Sequence, residues 1–280
     1  MTPSNMLNIG CGSTNHPDWI NLDVAPSTPD ILSVNITSGL PFSSDFADVC
    51  YSSHVLEHLD KVGARNLIAE CFRILKKGAV IRLVLPDLEI LAQEYLRLLE
   101  EVASGKSNYE ADYDWIMLEL YDQTVRNTSG GEMAKFLKSL DVNKRGFVLS
   151  RIGAEAENFW KPKQTLSAWC RLNAVLKRTP WRMLIKLLRM KLAGWLVYLV
   201  AGKVTFDSYQ AGIFRSSGEV HQWMYDRYSL KRLLEQTGFV NVKVCVATES
   251  RIPEYEKYSL DVLNGITRKP DSLYIEASKP

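Results

Sequence analysis

Acidic side chains are missing from a long internal stretch of this sequence. Between Asn158 and Phe206 there is no Asp or Glu, whereas ten Lys or Arg occupy the same stretch. Because the formal net charge of the whole chain is only +2, the remainder of the sequence is acidic. The overall charge therefore says little about partners, and the basic character is confined to one block.

Cysteine is also scarce, with five residues at irregular spacing in a chain of 280. An odd, unpatterned set argues against a disulfide framework and favours reduced thiols in the cytoplasm. Residues 1–9 contain no basic segment followed by a long apolar stretch, so a secretory signal is not expected. The apolar fraction of 46% is ample for a core, and the length suits one large domain or a domain that carries a big insertion.

A third glycine is missing from the glycine-rich turn near the start of the chain. Leu7 to Gly12 indicate a short strand and a tight turn, and Leu22-Asp23 indicate a second strand that ends in a carboxylate. A dinucleotide-binding turn needs Gly-x-Gly-x-x-Gly at the start of a helix, but Asn15 stands at the third position. Only nine residues separate the two strands, fewer than a helical crossover uses. The pattern therefore excludes a pyrophosphate cofactor and favours a nucleoside without phosphates, whose ribose hydroxyls Asp23 would hold.

Strands and helices alternate over the first ninety residues. The sequence predicts strands at 30–35, 48–52 and 80–85, and an amphipathic helix over 62–75. Such alternation implies a parallel sheet with its ligand at the carboxyl ends of the strands. The polar or glycine residues at those ends are Gly10, Asp23, Asn35, Ser52, Ser53, His54 and Asp87. Their shared position strengthens the prediction of a cofactor site.

The order of these segments resembles the class I S-adenosylmethionine-dependent methyltransferases. The segments that carry the resemblance are LNIGCG, NLDV, LPFSSDFADVCYSSHVLEHL and ECFRILKKGAVIRLVLPDLE. Within the class they are most similar to the methyltransferase type 11-like bacterial group that is often found with surface-polysaccharide genes. The resemblance implies an α/β fold, a Rossmann-like and mostly parallel seven-stranded sheet with a large helical insertion after strand five. Residues 1–87 and 218–280 would then form the cofactor-binding core, and 88–217 the insertion or lid.

The resemblance also implies which residues bind S-adenosylmethionine. They are Gly10, Cys11, Gly12, Asp23, Asn35, Ser52, Ser53 and His54. The glycine turn would lie against the methionine part, and Asp23 matches the acid that holds the ribose hydroxyls. Asn35 stands where the family usually has an Asp near the adenine, and its amide oxygen can still accept a hydrogen bond. The segment 52–54 matches the residues that line the reacting methyl group.

A competing pattern overlaps the last of these segments. His54-Val55-Leu56-Glu57-His58 fits H-x-x-E-H, the inverted zinc-protease signature. Zinc peptidase chemistry would need a third ligand and a helix long enough to carry the pair, and it would leave the glycine turn unexplained. The sequence therefore predicts no metal site, and it predicts that Glu57 and His58 are ordinary residues of a first helical turn.

The basic block lies within the insertion. Pro180 to Lys203 predict a basic amphipathic helix with Arg182, Lys186 and Arg189 on one stripe, and its apolar run is too short to cross a bilayer. A tryptophan-bearing basic helix suits an anionic membrane surface, which residues 179–203 would contact. The alternative is a buried lid helix with a solvated basic edge. Nucleic acid is an unfavoured partner because no recognisable binding motif accompanies the cations.

Methyl transfer from a sulfonium requires alignment of donor and acceptor, and a hydroxyl acceptor also needs a base. The candidate catalytic residues are His221, Asp87 and His54, with His221 first because the chain there returns from the insertion. An anchoring role for His221 is the alternative. We expect a cytoplasmic O-methyltransferase, peripheral on the inner face of the membrane, that acts on a sugar or a lipid-linked glycan. A small-metabolite or RNA methyltransferase and a non-catalytic cofactor-binding module are the alternatives.

Overall fold

The computed structural model describes residues 4–161 and 181–280, and nine strands run through them. These are β1 (Met6–Ile9), β2 (Ile20–Asp23), β3 (Leu32–Ser33), β4 (Ala47–Ser53), β5 (Leu75–Pro86), β6 (Val240–Cys245), β7 (Val262–Leu263), β8 (Ile266–Thr267) and β9 (Ser272–Ser278). The central sheet has seven strands in the order β3-β2-β1-β4-β5-β9-β6, and β7 and β8 form a separate hairpin. Neighbouring strands are parallel from β3 to β5, whereas β9 runs antiparallel to both β5 and β6.

Eight α-helices lie in the residues that the structure describes. They are α1 (Lys61–Ile74), α2 (Leu88–Ala103), α3 (Glu110–Val125), α4 (Gly131–Ser139), α5 (Arg145–Ile152), α6 (Ala154–Trp160), α7 (Trp181–Arg215) and α8 (Arg227–Thr237). Since α2 to α7 all lie between β5 and α8 in the chain, a large helical segment follows strand five, as the sequence predicts. This arrangement is the mostly parallel α/β fold of class I methyltransferases.

The connection between β1 and β2 contains no helix, which confirms the expectation from its length. The side chain of Asn8 holds the loop in place. Its amide nitrogen donates to the carbonyl of Thr14 at 2.9 Å and to the side-chain oxygen of Asn21 at 3.0 Å. The missing crossover helix leaves the glycine turn beside an open cleft.

Two apolar cores cover the two faces of the sheet. On one face α1 and α8 pack, and α1 presents Ala64, Leu67, Ile68, Cys71 and Ile74 at helical spacing. The core on the other face is rich in aromatic side chains, with Trp19, Tyr51, Tyr255, Tyr258 and Tyr274 in one cluster. The insertion has a separate core that includes Trp115, Met133, Leu137 and Val148.

A buried ionic network crosses the aromatic face. Arg82 of β5 is fully buried, and its guanidinium donates to Asp261 at 2.7 Å and to Glu276 at 2.8 Å. The hydroxyls of Tyr51 and Tyr255 also donate to Asp261, at 2.6 and 2.8 Å. The network joins the sheet to the loop that covers it, because Asp261 lies on that loop.

The insertion leaves and rejoins the core at one point. Asp87 and Tyr225 form an isolated parallel bridge, and the amide of Leu88 donates to the carbonyl of Tyr225 at 3.0 Å. Farther back, the amide of Gln222 donates to the carbonyl of Glu57 at 2.7 Å. The returning segment is therefore fixed by main-chain hydrogen bonds to the turn after β4.

Several predicted boundaries are wrong. The strand predicted over 30–35 is shorter in the structure. It comprises only Leu32 and Ser33 of β3, which are exposed at the edge of the sheet. The fifth strand begins at Leu75, earlier than predicted, because Leu75 pairs with Ala47 across an irregular register. Glu57 and His58 belong to a short 3-10 helix that precedes α1, so they are not in a first α-helical turn.

The basic block is only partly described. The stretch 162–180 lies outside the described residues, and so do the side chains of Arg182 and Lys186, so the predicted basic stripe is not seen as a whole. The helix α7 is longer than predicted and is interrupted at Gly202, whose φ of 79° and ψ of 179° are not helical. Among the residues that the structure describes, no helix combines the length and the apolar character needed to cross a membrane.

Candidate functional site

The glycine turn after β1 has a backbone that only glycine adopts readily. Gly10 and Gly12 have φ values of 69° and 53°, and the amide of Gly10 donates to the carbonyl of Leu22 at 2.8 Å. A Cβ on Gly10 would lie 2.4 Å from Cγ2 of Val55, so that side is closed to any side chain. The turn therefore brings bare backbone to the carboxyl edge of the sheet, as a cofactor lying against it would require.

Asp23 ends β2 directly beside this turn. Its carboxylate accepts hydrogen bonds from the amides of Gly12 and Ala25, both at 2.8 Å. A carboxylate has about four acceptor positions, so two of them remain for neighbouring hydroxyls of a ribose. The backbone thus orients Asp23 for the role that the resemblance implies.

A cavity of about 480 Å³, here called the donor cavity, opens at the glycine turn. Of the sequence-predicted cofactor residues, those that line it are Gly10, Cys11, Gly12, Ser53 and His54. Burial raises the pKa of the Cys11 thiol to about 11, with a contribution from Asp23, so the thiol is neutral. The lining of the cavity also includes Tyr51, Tyr274 and Arg268.

Three predicted cofactor residues do not line the donor cavity. Asp23 adjoins it through the amide of Gly12. Ser52 is buried, and its hydroxyl donates to the carbonyl of Ile9 at 3.0 Å, so it joins two strands. The amide oxygen of Asn35 is exposed and accepts from the backbone and hydroxyl of Thr37, at 3.1 and 2.8 Å, as the cap of a 3-10 helix.

A second and narrower space of about 50 Å³, here called the acceptor cavity, lies next to the first. Its polar lining comprises His54, Asp87, Glu119, Gln123, Arg151, Glu155, Lys269 and Asp271. His54, Glu155 and Lys269 line both cavities. The two spaces therefore share a wall, and the insertion supplies most of the second one.

Carboxylates and cations alternate around the acceptor cavity. The guanidinium of Arg151 donates to Glu119 at 2.7 Å, and the ammonium of Lys269 lies 2.8 Å from Glu155. Asp271 has no such direct partner, and burial together with the neighbouring Glu119 raises the pKa of its carboxyl to about 7. A group of that pKa can take up a proton near neutral pH.

Asp87 fulfils a structural role at the same edge. Its carboxylate accepts from the amide of Glu89 at 2.9 Å and so caps the first turn of α2. Burial raises the pKa of this carboxyl, although the backbone hydrogen bonds oppose the shift. Asp87 also lines the acceptor cavity, which leaves it as a second carboxylate near an acceptor.

His54 stands at the junction of the two cavities. Its φ of 54° is in the left-handed region, a strained backbone that is often found at functional sites. Its Nε2 lies 2.9 Å from the hydroxyl of Ser272. Burial and the positive charge of Lys269 hold the pKa of His54 well below its ordinary value, so the ring is neutral at pH 7.

His221, the first-choice base of the sequence analysis, lines neither cavity. It is 5% exposed, and its ring packs edge-on against the ring of His58 at 4.8 Å between centroids. Burial and the neighbouring His58 lower the pKa of His221 to about 3. The structure therefore brings His54 and Asp87 to the acceptor cavity and keeps His221 away from it.

The residues that sequence reasoning missed come from two places. Glu119, Arg151 and Glu155 lie on the helical insertion, and Lys269 and Asp271 precede β9. The position of Lys269 and Asp271 just before the last strand was a signal that could have identified them. Because β9 is antiparallel, it begins at the edge where the parallel strands end, so the residues before it reach the site.

Comparisons with known proteins agree with this geometry. Residues 7–83 match the family described as a methyltransferase domain. No curated protein matches the chain. The matched residues comprise the glycine turn, Asp23 and the segment of His54, and they end within β5.

Several solved structures match the chain, with low sequence identities and low TM-scores. One is a SAM-dependent methyltransferase from Archaeoglobus fulgidus, with 12% identity, 98% of this chain and 86% of that chain covered, and a TM-score of 0.38. Another is the putative methyltransferase in complex with the Haloferax volcanii Trm112 methyltransferase activator, with 10% identity, 100% and 84% covered, and a TM-score of 0.39. A possible histamine N-methyltransferase from Thermotoga maritima has 10% identity, 99% and 82% covered, and a TM-score of 0.36.

The assignment rests on the sheet order, the glycine turn and the domain match. The turn of Gly10 and Gly12, with its positive φ values, borders the donor cavity at the carboxyl edge of the sheet. The antiparallel β9 between β5 and β6 completes the sheet of the class I fold. The protein is therefore an enzyme that transfers methyl groups from S-adenosylmethionine, built on the class I methyltransferase fold.

Proposed function

We propose that the acceptor is a hydroxyl group of a sugar or of a lipid-linked glycan, a precursor of a surface polysaccharide. The observation that carries the proposal is the acceptor cavity, which adjoins the donor cavity at His54 and has both carboxylates and cations in its lining. Sugar hydroxyls donate and accept hydrogen bonds, and they match such a mixed lining. The helical insertion, residues 88–217, is in this proposal the acceptor-binding part of the enzyme.

The lining offers both donors and acceptors to the hydroxyls of a sugar. Arg151 and Lys269 are paired with Glu119 and Glu155, and their remaining hydrogens can bind hydroxyl or ring oxygens. Asp87 and Asp271 supply acceptors on the same wall. At about 50 Å³ the cavity takes the reacting end of an acceptor, and the rest of a glycan would extend outside it.

The chemistry divides between the cofactor and the chain. S-adenosylmethionine, when bound, supplies a methyl group on a sulfonium, and its transfer needs an acceptor oxygen in line with the departing sulfur. The chain orients the acceptor with Arg151 and Lys269 and removes its proton with a base at the cavity wall. Asp271 suits that role best, because its pKa of about 7 leaves it partly deprotonated at neutral pH.

His54 and Ser272 connect this base to the junction of the cavities. The hydroxyl of Ser272 lies 3.4 Å from Oδ1 of Asp271 and 2.9 Å from Nε2 of His54. The row of three polar groups keeps the carboxylate and the imidazole in fixed relative positions. In this scheme His54 and Asp87 orient the acceptor, and His221 anchors the returning segment.

The lipid-linked form of the proposal is supported by α7. Its exposed apolar side chains include Trp195, Leu196, Leu199, Val200 and Val204, with exposed fractions from 48% to 86%. Exposed apolar patches of this kind mark interaction surfaces. The cations Arg189, Lys191 and Lys203 are on the same helix, and they would face anionic head groups.

Vesicle flotation tests the membrane contact. We expect the protein to float with phosphatidylglycerol-containing vesicles, and Leu199→Glu with Val200→Glu to abolish flotation by adding charge to the apolar patch. Val142→Glu is the matched control, since Val142 is 70% exposed but lies outside α7. Flotation of the double variant at the level of the wild type would remove the membrane from the proposal.

Transfer of a labelled methyl group tests the acceptor. The purified protein is incubated with labelled S-adenosylmethionine and with nucleotide sugars, lipid-linked glycans, tRNA or small amines. Base-stable label in a glycan fraction is the expected result. Label in tRNA or amines would favour an RNA or small-metabolite methyltransferase, and label in no fraction, despite cofactor binding, would favour a non-catalytic binding module.

A further inference from the structure

Three side chains that the methyl-transfer scheme does not use converge behind His54. Glu57, His58 and His221 each offer one ligand atom, and these atoms lie within 4.8 Å of one another. Glu57 is fully buried and His221 is 5% exposed. Glu57 and His58 come from the turn after β4, whereas His221 comes from the segment that returns from the insertion.

Four polar atoms of this cluster have no hydrogen-bond partner. Both carboxylate oxygens of Glu57 and the Nδ1 atoms of His58 and His221 are buried and unpartnered. Oε1 of Glu57 lies 3.3 Å from Nδ1 of His54, without the alignment of a hydrogen bond. Buried polar atoms are nearly always paired, so four unpaired atoms in one place indicate a group that binds them together.

Main-chain hydrogen bonds hold the three residues in position. The carbonyl of Glu57 accepts from the amides of Gln222 and Trp223, at 2.7 and 3.2 Å. The amide of His221 donates to the carbonyl of Gln123 at 2.9 Å. The ring of His58 interacts with the backbone of Val220, the arrangement that orients a ligating imidazole in metal sites. The cluster is therefore built before any ligand arrives.

We propose that Glu57, His58 and His221 bind one divalent first-row transition-metal ion, of the class that includes Zn²⁺, Co²⁺ and Mn²⁺. Two imidazoles and a carboxylate are ligands that such ions prefer, and Mg²⁺ prefers oxygen ligands. The proposed set differs from the inverted zinc-protease pattern in the sequence, in which His54 and His58 would be the ligands. It consists of Glu57 and His58 from that segment with His221 from the returning segment.

The nearby cations do not prevent binding of an ion. Arg126 lies between two carboxylates, 4.0 Å from Asp122 and 3.3 Å from Glu219. Lys269 is 2.8 Å from Glu155. Each positive charge is thus compensated by acids outside the cluster, and the Glu57 carboxylate remains for the ion.

The position of the cluster defines what the ion would do. None of its three residues lines the donor or the acceptor cavity, so the ion is not in contact with the methyl acceptor. It would join the turn after β4 to the segment before α8 and so fix the backbone of His54. The proposal does not depend on the identity of the acceptor.

Metal content and metal-induced stabilisation test the proposal. Protein purified without chelator is dialysed and analysed by mass spectrometry for metals, and apo protein is titrated with Co²⁺ and Zn²⁺. We expect one equivalent of bound ion. With Co²⁺ we expect the visible d–d absorption of an ion that has nitrogen ligands. The Tm should rise by roughly 5 °C when the concentration of free ion is about a hundred times Kd. Glu57→Gln and His221→Asn should each lower affinity by at least about tenfold.

His16→Asn is the matched control, since His16 lies outside the cluster and should leave one equivalent bound. Binding of S-adenosylhomocysteine by each variant shows that the variants fold. Absence of metal with no shift in Tm, or equal binding by the control and both cluster variants, would overturn the proposal. Tight binding of Mg²⁺ in preference to Zn²⁺ would contradict the class of ion.

Discussion

At the scale of single residues, the proposed ribose-binding acid, Asp23, is oriented by the chain before it meets a ligand. Asp23 accepts from the amides of Gly12 and Ala25, so its carboxylate cannot rotate freely. A group that is already fixed loses little conformational entropy on binding. The affinity for a ribose should therefore depend strongly on this one side chain.

Asp23→Ala should weaken binding of S-adenosylhomocysteine by roughly 2–3 kcal/mol, about 30- to 150-fold, because two hydrogen bonds to a charged group are lost. Isothermal titration calorimetry measures the effect. Asp18→Ala serves as the control, since Asp18 is exposed and lines neither cavity. An unchanged Kd for Asp23→Ala would show that the ribose is held elsewhere.

Asp271 gives a second prediction at this scale. In the proposed mechanism its deprotonated form takes the proton of the acceptor hydroxyl, so the rate of transfer should fall as pH decreases below about 7. Asp271→Asn should lower kcat by roughly 10²- to 10⁴-fold and remove that limb of the pH profile. Steady-state assays with the acceptor that the labelling experiment identifies measure both effects. Asp114→Asn, an exposed carboxylate of the insertion, should change neither.

At the scale of elements, the turn between β1 and β2 offers a matched pair of glycines. Both have positive φ, but a Cβ on Gly10 would meet Val55 at 2.4 Å, whereas a Cβ on Gly12 would meet nothing within 4 Å. The two positions therefore separate backbone strain from steric overlap.

Gly12→Ala should destabilise by about 1–2 kcal/mol through φ alone, and Gly10→Ala should cost more because of the added overlap. Adding Val55→Ala to Gly10→Ala should recover the excess, since it removes Cγ2. Urea unfolding and cofactor titration of the wild type and the three variants measure these differences. Equal destabilisation by the two single glycine variants would show that the overlap is relieved without cost.

The elements that the sequence predicts best are those with strong periodicity. The amphipathic pattern of 62–75 gave α1 within a residue, and the short gap before β2 correctly predicted a crossover without a helix. Edges were less predictable. β3 consists of two exposed residues, so its side chains carry no burial signal, and the extension of β5 to Leu75 depends on pairing with β4.

The residues of the candidate site also differ in how well the sequence predicts them. Local motifs identify the glycine turn, Asp23 and His54, because each directly follows a strand whose pattern is visible. Arg151, Asp271 and the cluster of Glu57 with His221 depend on contacts between segments far apart in the chain. Such contacts produce no periodic pattern in the sequence, so local sequence patterns could not predict that these residues lie close together.

At the scale of the whole molecule, stability depends on the buried network at Arg82. The side chains of Asp261 and Glu276 are 2% and 0% exposed, so neither has water to replace its partner. Arg82→Met should lower the free energy of unfolding by about 3–5 kcal/mol, because the buried Asp261 loses its cation and keeps only the hydroxyls of Tyr51 and Tyr255. Glu276 keeps Arg251 at 3.2 Å and contributes less to the loss. Arg65→Met, at an exposed position of α1, is the control for urea unfolding. A loss under about 1 kcal/mol would show that other groups, such as Tyr51 and Tyr255, compensate.

The bridge between Asp87 and Tyr225 has a consequence for how such an enzyme can change. Because the helical insertion begins and ends at neighbouring positions, the sheet can keep its structure when the insertion between them changes. An insertion of different length can replace the present one with little additional entropic cost of loop closure. Natural variation or deliberate grafting at this junction could thus redirect the same donor machinery toward new acceptors without rebuilding it.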